Sequence, residues 1–345
     1  MKNLKTYVDY SVKSILSLCK IPSPSGYTKE VTDFLMSELH SLKFTPKKTR
    51  KNAVICELGG KGRVLVLAAH IDTLGAMIRS IKGNGRIRFT PIGGYAGGFV
   101  ENENVTIHTR TGKYFTGTIH LINAAAHTYK DTATMERNEV NLEIVIDEVV
   151  TKESETLKLG IRPGDFISFD PRTIYTKSGF IKSRFLDDKA SAGILLGLAK
   201  AVAEKQIKLK RKVYIMFTNY EEVGHGASSG IPRETEEMIS VDMGAVGDDL
   251  KTDEYKVSIC AKDSGGPYDY DVTNKLIEIA EREKLNYALD IYPYYGSDVE
   301  ATLHAGYDLK HGLIGPGVFA SHSYERTHKQ GVENTFKLLA GYIAE

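Results

Sequence analysis

The chain has 345 residues, 41% of them hydrophobic and 26% charged, the balance of a soluble globular protein rather than of a disordered or membrane-spanning one. Lys and Arg total 45 against 44 Asp and Glu, so there is no basic excess to drive binding to nucleic acid or anionic lipid, and neither partner is expected. Cys19, Cys56 and Cys260 are odd in number and form no CxxC, which argues against a disulfide framework or a zinc-thiolate site and predicts reduced core residues. The first residues lead into an amphipathic pattern, and no 18-residue apolar run occurs, so the expected location is the cytoplasm.

In chain order, Val8, Val12, Ile15, Leu16 and Cys19 have helical spacing, as do Val31, Phe34, Leu35, Leu39 and Leu42. The Pro22–Gly26 turn separates the two. Asn52–Leu58 and Arg63–Ala69 read as strands, the second nearly all apolar, as where both faces of a sheet are covered. From about Gly75 to Pro171 the pattern changes to short alternating strands, such as Gly85–Phe89, Asn104–Thr109 and Leu142–Asp147, with glycine-rich turns and no long helix. That predicts a small all-β barrel or sandwich inserted into an α/β domain. The α/β rhythm then resumes with a helix from Asp188 through Ala199 and strands at Arg211–Asn219, Met238–Asp242 and Tyr255–Cys260. Helices over Val272–Lys284 and Val332–Ile343 complete it.

The residues suited to chemistry sit where these strands end. His70-Ile-Asp72 closes the apolar strand, and ligands gather beyond the carboxyl ends of strands in parallel α/β sheets. Residues two apart in an extended segment face the same side, so His70 can bind a metal while Asp72 orients its ring. Asp187-Asp188 begins a helix, where Asp188 reads as an N-cap and Asp187 as a carboxylate at the mouth of the sheet. Glu221 and Glu222 follow a buried strand and read either as two ordinary charges in a solvated loop or as acids that a cation compensates, since two buried acids are otherwise costly. Asp242 ends another strand, and His322 lies in a late polar loop. Two histidines and three carboxylates suit zinc, cobalt or manganese. Gly93–Gly98 lacks the ending of a phosphate-binding loop and reads as a bent β connection. His108, His120 and His127 read as ordinary strand residues. Tyr292–Asp298 reads either as a packed turn capped by Ser297 or Asp298, or as the border of a substrate pocket.

On these residues the chain resembles the M42 family of metallo-aminopeptidases, some members of which carry a cellulase or endoglucanase label. The resemblance rests on His70-Ile-Asp72, Leu186-Asp-Asp-Lys189, Glu221-Glu-Val-Gly224, Val241-Asp-Met-Gly-Ala245, Gly296-Ser-Asp-Val299 and Ser321–Thr327. It implies a mixed-sheet α/β/α zinc-peptidase-like catalytic domain over residues 1–74 and 172–345, interrupted by a small β-barrel-like dimerisation domain over 75–171. It implies two divalent ions, zinc or cobalt with manganese as a third choice. His70, Asp187 and Asp242 would hold one, and Asp187, Glu222 and His322 the other. By the same resemblance Glu221 is the general base and Asp72 the acid that orients His70. Short peptides are the implied substrates, and a homo-oligomer built from dimers, up to a dodecamer, the implied assembly. The chain departs from the common family pattern at Thr73, at Lys189, and in a glycine turn after Val223 that is one residue shorter. The competing readings are a glycosidase, which needs two carboxyl groups facing each other about 5 to 9.5 Å apart, and an assembled peptide-binding scaffold without catalysis.

Overall fold

A computed structural model describes residues 3–345. Its main sheet has nine strands. Eight run in the order Lys47–Lys48, Val54–Gly59, Lys212–Thr218, Val64–His70, Thr235–Val241, Lys310–Val318, Val257–Lys262, Tyr287–Ile291, and Gly244–Ala245 pairs with the end of Lys310–Val318. The four central strands are parallel and the flanking pairs bring in antiparallel edges, so the sheet is mixed.

Every residue of Val64–His70 is buried, because the two faces of the sheet are covered by different layers. Leu65 and Leu67 pack into a core shared with the helices Leu4–Cys19, Leu186–Ala203 and Lys329–Ile343. Val66 and Ala68 face the opposite layer with Met216, Met238 and Val299. Each such fully buried aliphatic side chain contributes about 1.5–3 kcal/mol, and their alternation keeps His70 at one fixed end of the strand.

The strand Lys310–Val318 was not among the expected elements; its Gly312, Gly315, Pro316 and Gly317 are residue types that ordinarily interrupt strands. Its glycines answer a close approach: a Cβ on Gly315 would fall 1.3 Å from the carbonyl oxygen of Asp242. The Asp242 main chain crosses there, and its N–H donates to the Ile314 carbonyl at 2.9 Å.

Between Gly75 and Phe169, six antiparallel strands close into a barrel in the order Gly75–Ile81, Ile87–Ile92, Leu142–Ile146, Tyr114–Leu121, Asn104–His108, Phe166–Phe169. Closure leaves no free edge. Ile78, Phe89, Ile107, Ile119, Ile144 and Ile167 fill a core separate from that of the sheet. Of the three barrel histidines, His108 and His120 lie in strands while His127 lies in a turn, since the segment between Leu121 and Leu142 does not pair. All three cysteines are free and buried. Among the described residues no helix is long and apolar enough to cross a membrane.

Candidate metal centre and cleft

The ends of the parallel strands bring the expected residues together. His70 projects from the end of Val64–His70, and its Nε2 lies 3.0 Å from Asp187 Oδ1. The other Asp187 oxygen, Oδ2, faces His322 Nε2 at 3.4 Å. Ligand atoms of His70, Asp187 and Asp242 all fall within 4.8 Å of one another, and all three side chains are buried. On the opposite side, Glu222 Oε2 is 3.7 Å from His322 Nε2, and Glu221 Oε2 is 3.7 Å from His70 Nε2.

The two imidazoles are held in the same way. Nδ1 of His70 donates to the main-chain carbonyl of Asp72 at 2.9 Å, and Nδ1 of His322 donates to that of Gly94 at 2.5 Å. Each ring therefore turns Nε2 toward the carboxylates, the arrangement that prepares an imidazole for a metal. Asp72, expected to orient His70 through its carboxylate, does so through its carbonyl, its Oδ1 lying 3.9 Å from Nδ1. The carboxylate instead accepts from Ser25 Oγ at 2.5 Å and from the Glu221 N–H at 3.2 Å, so it fixes the main chain at Glu221.

The cluster holds more negative charge than it can carry unaided. Burial, and then the Asp187 charge, push the carboxyl of Asp242 up to about 7 and that of Glu222 up to about 8. Burial also raises Glu221 well above the usual carboxylate range. At His70 burial opposes protonation, but the carboxylates of Glu221, Asp187 and Asp242 outweigh it. At His322 the same contest, won by Asp187, lifts the ring to about 10. Protons thus sit where divalent cations would neutralise the same acids, and the nitrogen and oxygen donors are those that zinc, cobalt and manganese accept. The residues fit a metal.

Several supports were not apparent from the sequence. Glu325, fully buried, accepts from the main-chain N–H of His322 at 2.9 Å and from that of Asp187 at 3.1 Å, tying the two residues together. The Asp188 side chain does not cap the helix: its Oδ2 accepts from the N–H of His70 at 3.2 Å, and its Oδ1 has no partner. The Asp187–Asp188 peptide is cis. Asp298 accepts from Thr218 Oγ1 at 2.5 Å and from Ala227 N–H at 2.7 Å, clamping both sides of the Glu221–Glu222 turn. Lys189, inside the fold, donates to the Ile21 carbonyl at 2.6 Å. The only one of these with a local sequence signal is Glu325, three residues after His322.

A cleft of about 870 Å³ opens over the cluster. One wall is the Tyr292–Asp298 segment, which does border the pocket. The other includes Gly94, Tyr95, Ala96 and Phe99, so the supposed bent connection of the barrel reaches the centre. Among the described residues, six of those lining the cleft are acids and none is Lys or Arg.

Residues 52–338 match the M42 glutamyl aminopeptidase family. The Bacillus subtilis protein called "Putative aminopeptidase YhfE" is 47% identical over 340 residues, which cover 98% of each chain. An aminopeptidase from the archaeon Desulfurococcus kamchatkensis has the same fold, with a TM-score of 0.86 at 22% identity over 98% of this chain and 95% of its own. The TET1 peptidase of Pyrococcus horikoshii, which can assemble into a tetrahedron or a large octahedral shell, superposes with a TM-score of 0.84 at 24% identity over 97% and 99%. A mixed sheet with an inserted barrel and a buried His/Asp cluster at its strand ends is thus the architecture of a metallo-aminopeptidase. This chain belongs to the M42 glutamyl aminopeptidase family.

Proposed function

We propose that the protein is a two-metal aminopeptidase that removes the amino-terminal residue from short peptides. His70, Asp187 and Asp242 hold one ion, Asp187, Glu222 and His322 the other, and Asp187 is shared. The observation that carries this reading is the Asp187 carboxylate, whose two oxygens face the Nε2 atoms of two different histidines at 3.0 and 3.4 Å. Bound divalent ions would acidify a water and polarise the scissile carbonyl.

The remaining work falls to the chain itself. Glu221, held by Asp72 beneath its main chain, takes a proton from the attacking water and returns it to the departing amine. The acids of the metal centre meet the free α-ammonium of the peptide, which restricts cleavage to the first bond. Replacing Glu221 by Gln is expected to lower kcat by about 10²–10⁴-fold with metal content unchanged, as read from aminoacyl-p-nitroanilide hydrolysis and elemental analysis. Wild-type turnover in that variant, or hydrolysis that survives EDTA, would remove the assignment.

Residues 1–74 and 172–345 are assigned to the catalytic domain and 75–171 to a dimerisation domain. The likeness to the Pyrococcus horikoshii peptidase supports a homo-oligomer, which sedimentation analysis would measure.

A further inference from the structure

Of the six acids lining the cleft, Asp187, Glu221, Glu222 and Asp242 belong to the proposed metal centre, and Asp298 is spent on Thr218 and Ala227. Glu300 is left. It lies in the helix Asp298–His304, whose first residue clamps the Glu221–Glu222 turn. Its Oε1 is sealed from solvent and has no hydrogen-bond partner. The carboxylate sits against glycine backbone: a Cβ on Gly265 would fall 1.9 Å from Oε1, and one on Gly296 would fall 3.0 Å from Oε2.

Among the described residues no cation answers it. The cleft has no Lys or Arg lining, and Lys262 donates its ammonium to the Asp263 main-chain carbonyl at 2.8 Å. The neighbouring charge is the buried Asp263 carboxylate, which accepts from Tyr268 Oη at 2.5 Å and from the Gly265 N–H at 2.9 Å. His304 lines the cleft one turn further along the helix. His311 lies in the hollow behind Asp263, where burial lowers the proton affinity of its ring. Burial, and then the Asp263 carboxyl within hydrogen-bonding reach and its charge, push Glu300 up to about 8, the cost of an acid whose neighbour is another acid rather than a cation.

We propose that Glu300 is a specificity-determining residue that selects a cationic side chain, lysine or arginine, on the amino-terminal residue to be removed. This rests on the aminopeptidase reading above. A substrate ammonium or guanidinium reaches the carboxylate on its Oε2 side, beside Gly296 of the cleft wall, and displaces the proton that Glu300 otherwise keeps. A glutamyl side chain, which the family's name would suggest, meets a like charge with no cation to receive it.

The test is steady-state hydrolysis of Lys-, Arg-, Leu- and Glu-p-nitroanilides by the metal-loaded protein, paired with calorimetric titration of lysinamide and leucinamide. Wild type is expected to favour Lys and Arg over Leu, with Glu last, and the Lys:Leu ratio of kcat/KM should rise from pH 7 to 9. Glu300→Gln is expected to lower that ratio at least about tenfold. Gly265→Ala, which pushes the carboxylate aside without removing its charge, should lower it less. A Lys:Leu ratio that Glu300→Gln leaves intact overturns the proposal. If wild type cleaves none of the four, the aminopeptidase reading fails by itself. Lysinamide binding then decides on Glu300: weaker binding in Glu300→Gln supports the subsite, and equal binding rejects it.

Discussion

The two histidines of the centre stand in different kinds of structure. His70 is buried at the end of a central strand, its N–H fixed by Asp188 and its neighbours locked between two packed layers. His322 is 38% exposed, lies in a loop at φ 64°, and takes its orientation from Gly94 of the barrel and from Glu325. One half of the site is therefore set by sheet packing, and the other by loops that meet only when the barrel is in place. Asp187 joins the halves. The sheet side should be the stiffer, tighter ion site and the loop side the more easily disturbed one.

Changes at the joint should have the largest effect. Asp187→Asn removes charge from both halves, and elemental analysis is expected to find both ions lost, a drop in affinity beyond the about 10–100-fold that outer partners control. Retention of one ion at full affinity would mean that Asp187 is not shared. On the sheet side, Gly315→Ala forces a methyl into the Asp242 carbonyl. The expected cost is near the upper end of the about 1–3 kcal/mol that overpacking causes, read by thermal melting, together with weakened binding of the ion held by His70 and Asp242.

On the loop side, Glu325→Gln turns an amide N–H₂ toward one of two main-chain donors, His322 or Asp187. Binding of the second ion should weaken by about 10–100-fold while melting changes little. Equal weakening of both ions would erase the distinction between the halves.

The smallest effect belongs to the barrel. Burial lowers the His108 ring from the usual 6.5 to about 4, with Nε2 paired to Ser168 Oγ and Nδ1 without a partner. A depressed folded value means that the unfolded chain binds the proton first, so stability is full above about pH 6.5 and declines as pH falls toward 4. The His108 share is on the order of 2 kcal/mol after solvent screening. It appears as the difference in pH dependence between wild type and His108→Phe in denaturant unfolding.

This division also explains what could be read before the fold was known. His70, Asp187, Glu222 and Asp242 were legible because strand ends and βα junctions have periodic apolar signals that locate them. The inserted barrel was legible from strand alternation and turns. Gly94 as a support for His322, Glu325 as the tie to Asp187, and Asp298 as a clamp were not, because each depends on a contact between elements that no local pattern encodes. The strand Lys310–Val318 was missed for a related reason: Gly315 serves the approach of Asp242, and that purpose looks like a turn until the neighbour is seen.

The most direct test of the account is anomalous diffraction from crystals of the zinc-loaded protein. Two peaks are predicted, one on each side of the Asp187 carboxylate, the first against His70 and Asp242 and the second against Glu222 and His322. A single peak, or two that do not share Asp187, would contradict it.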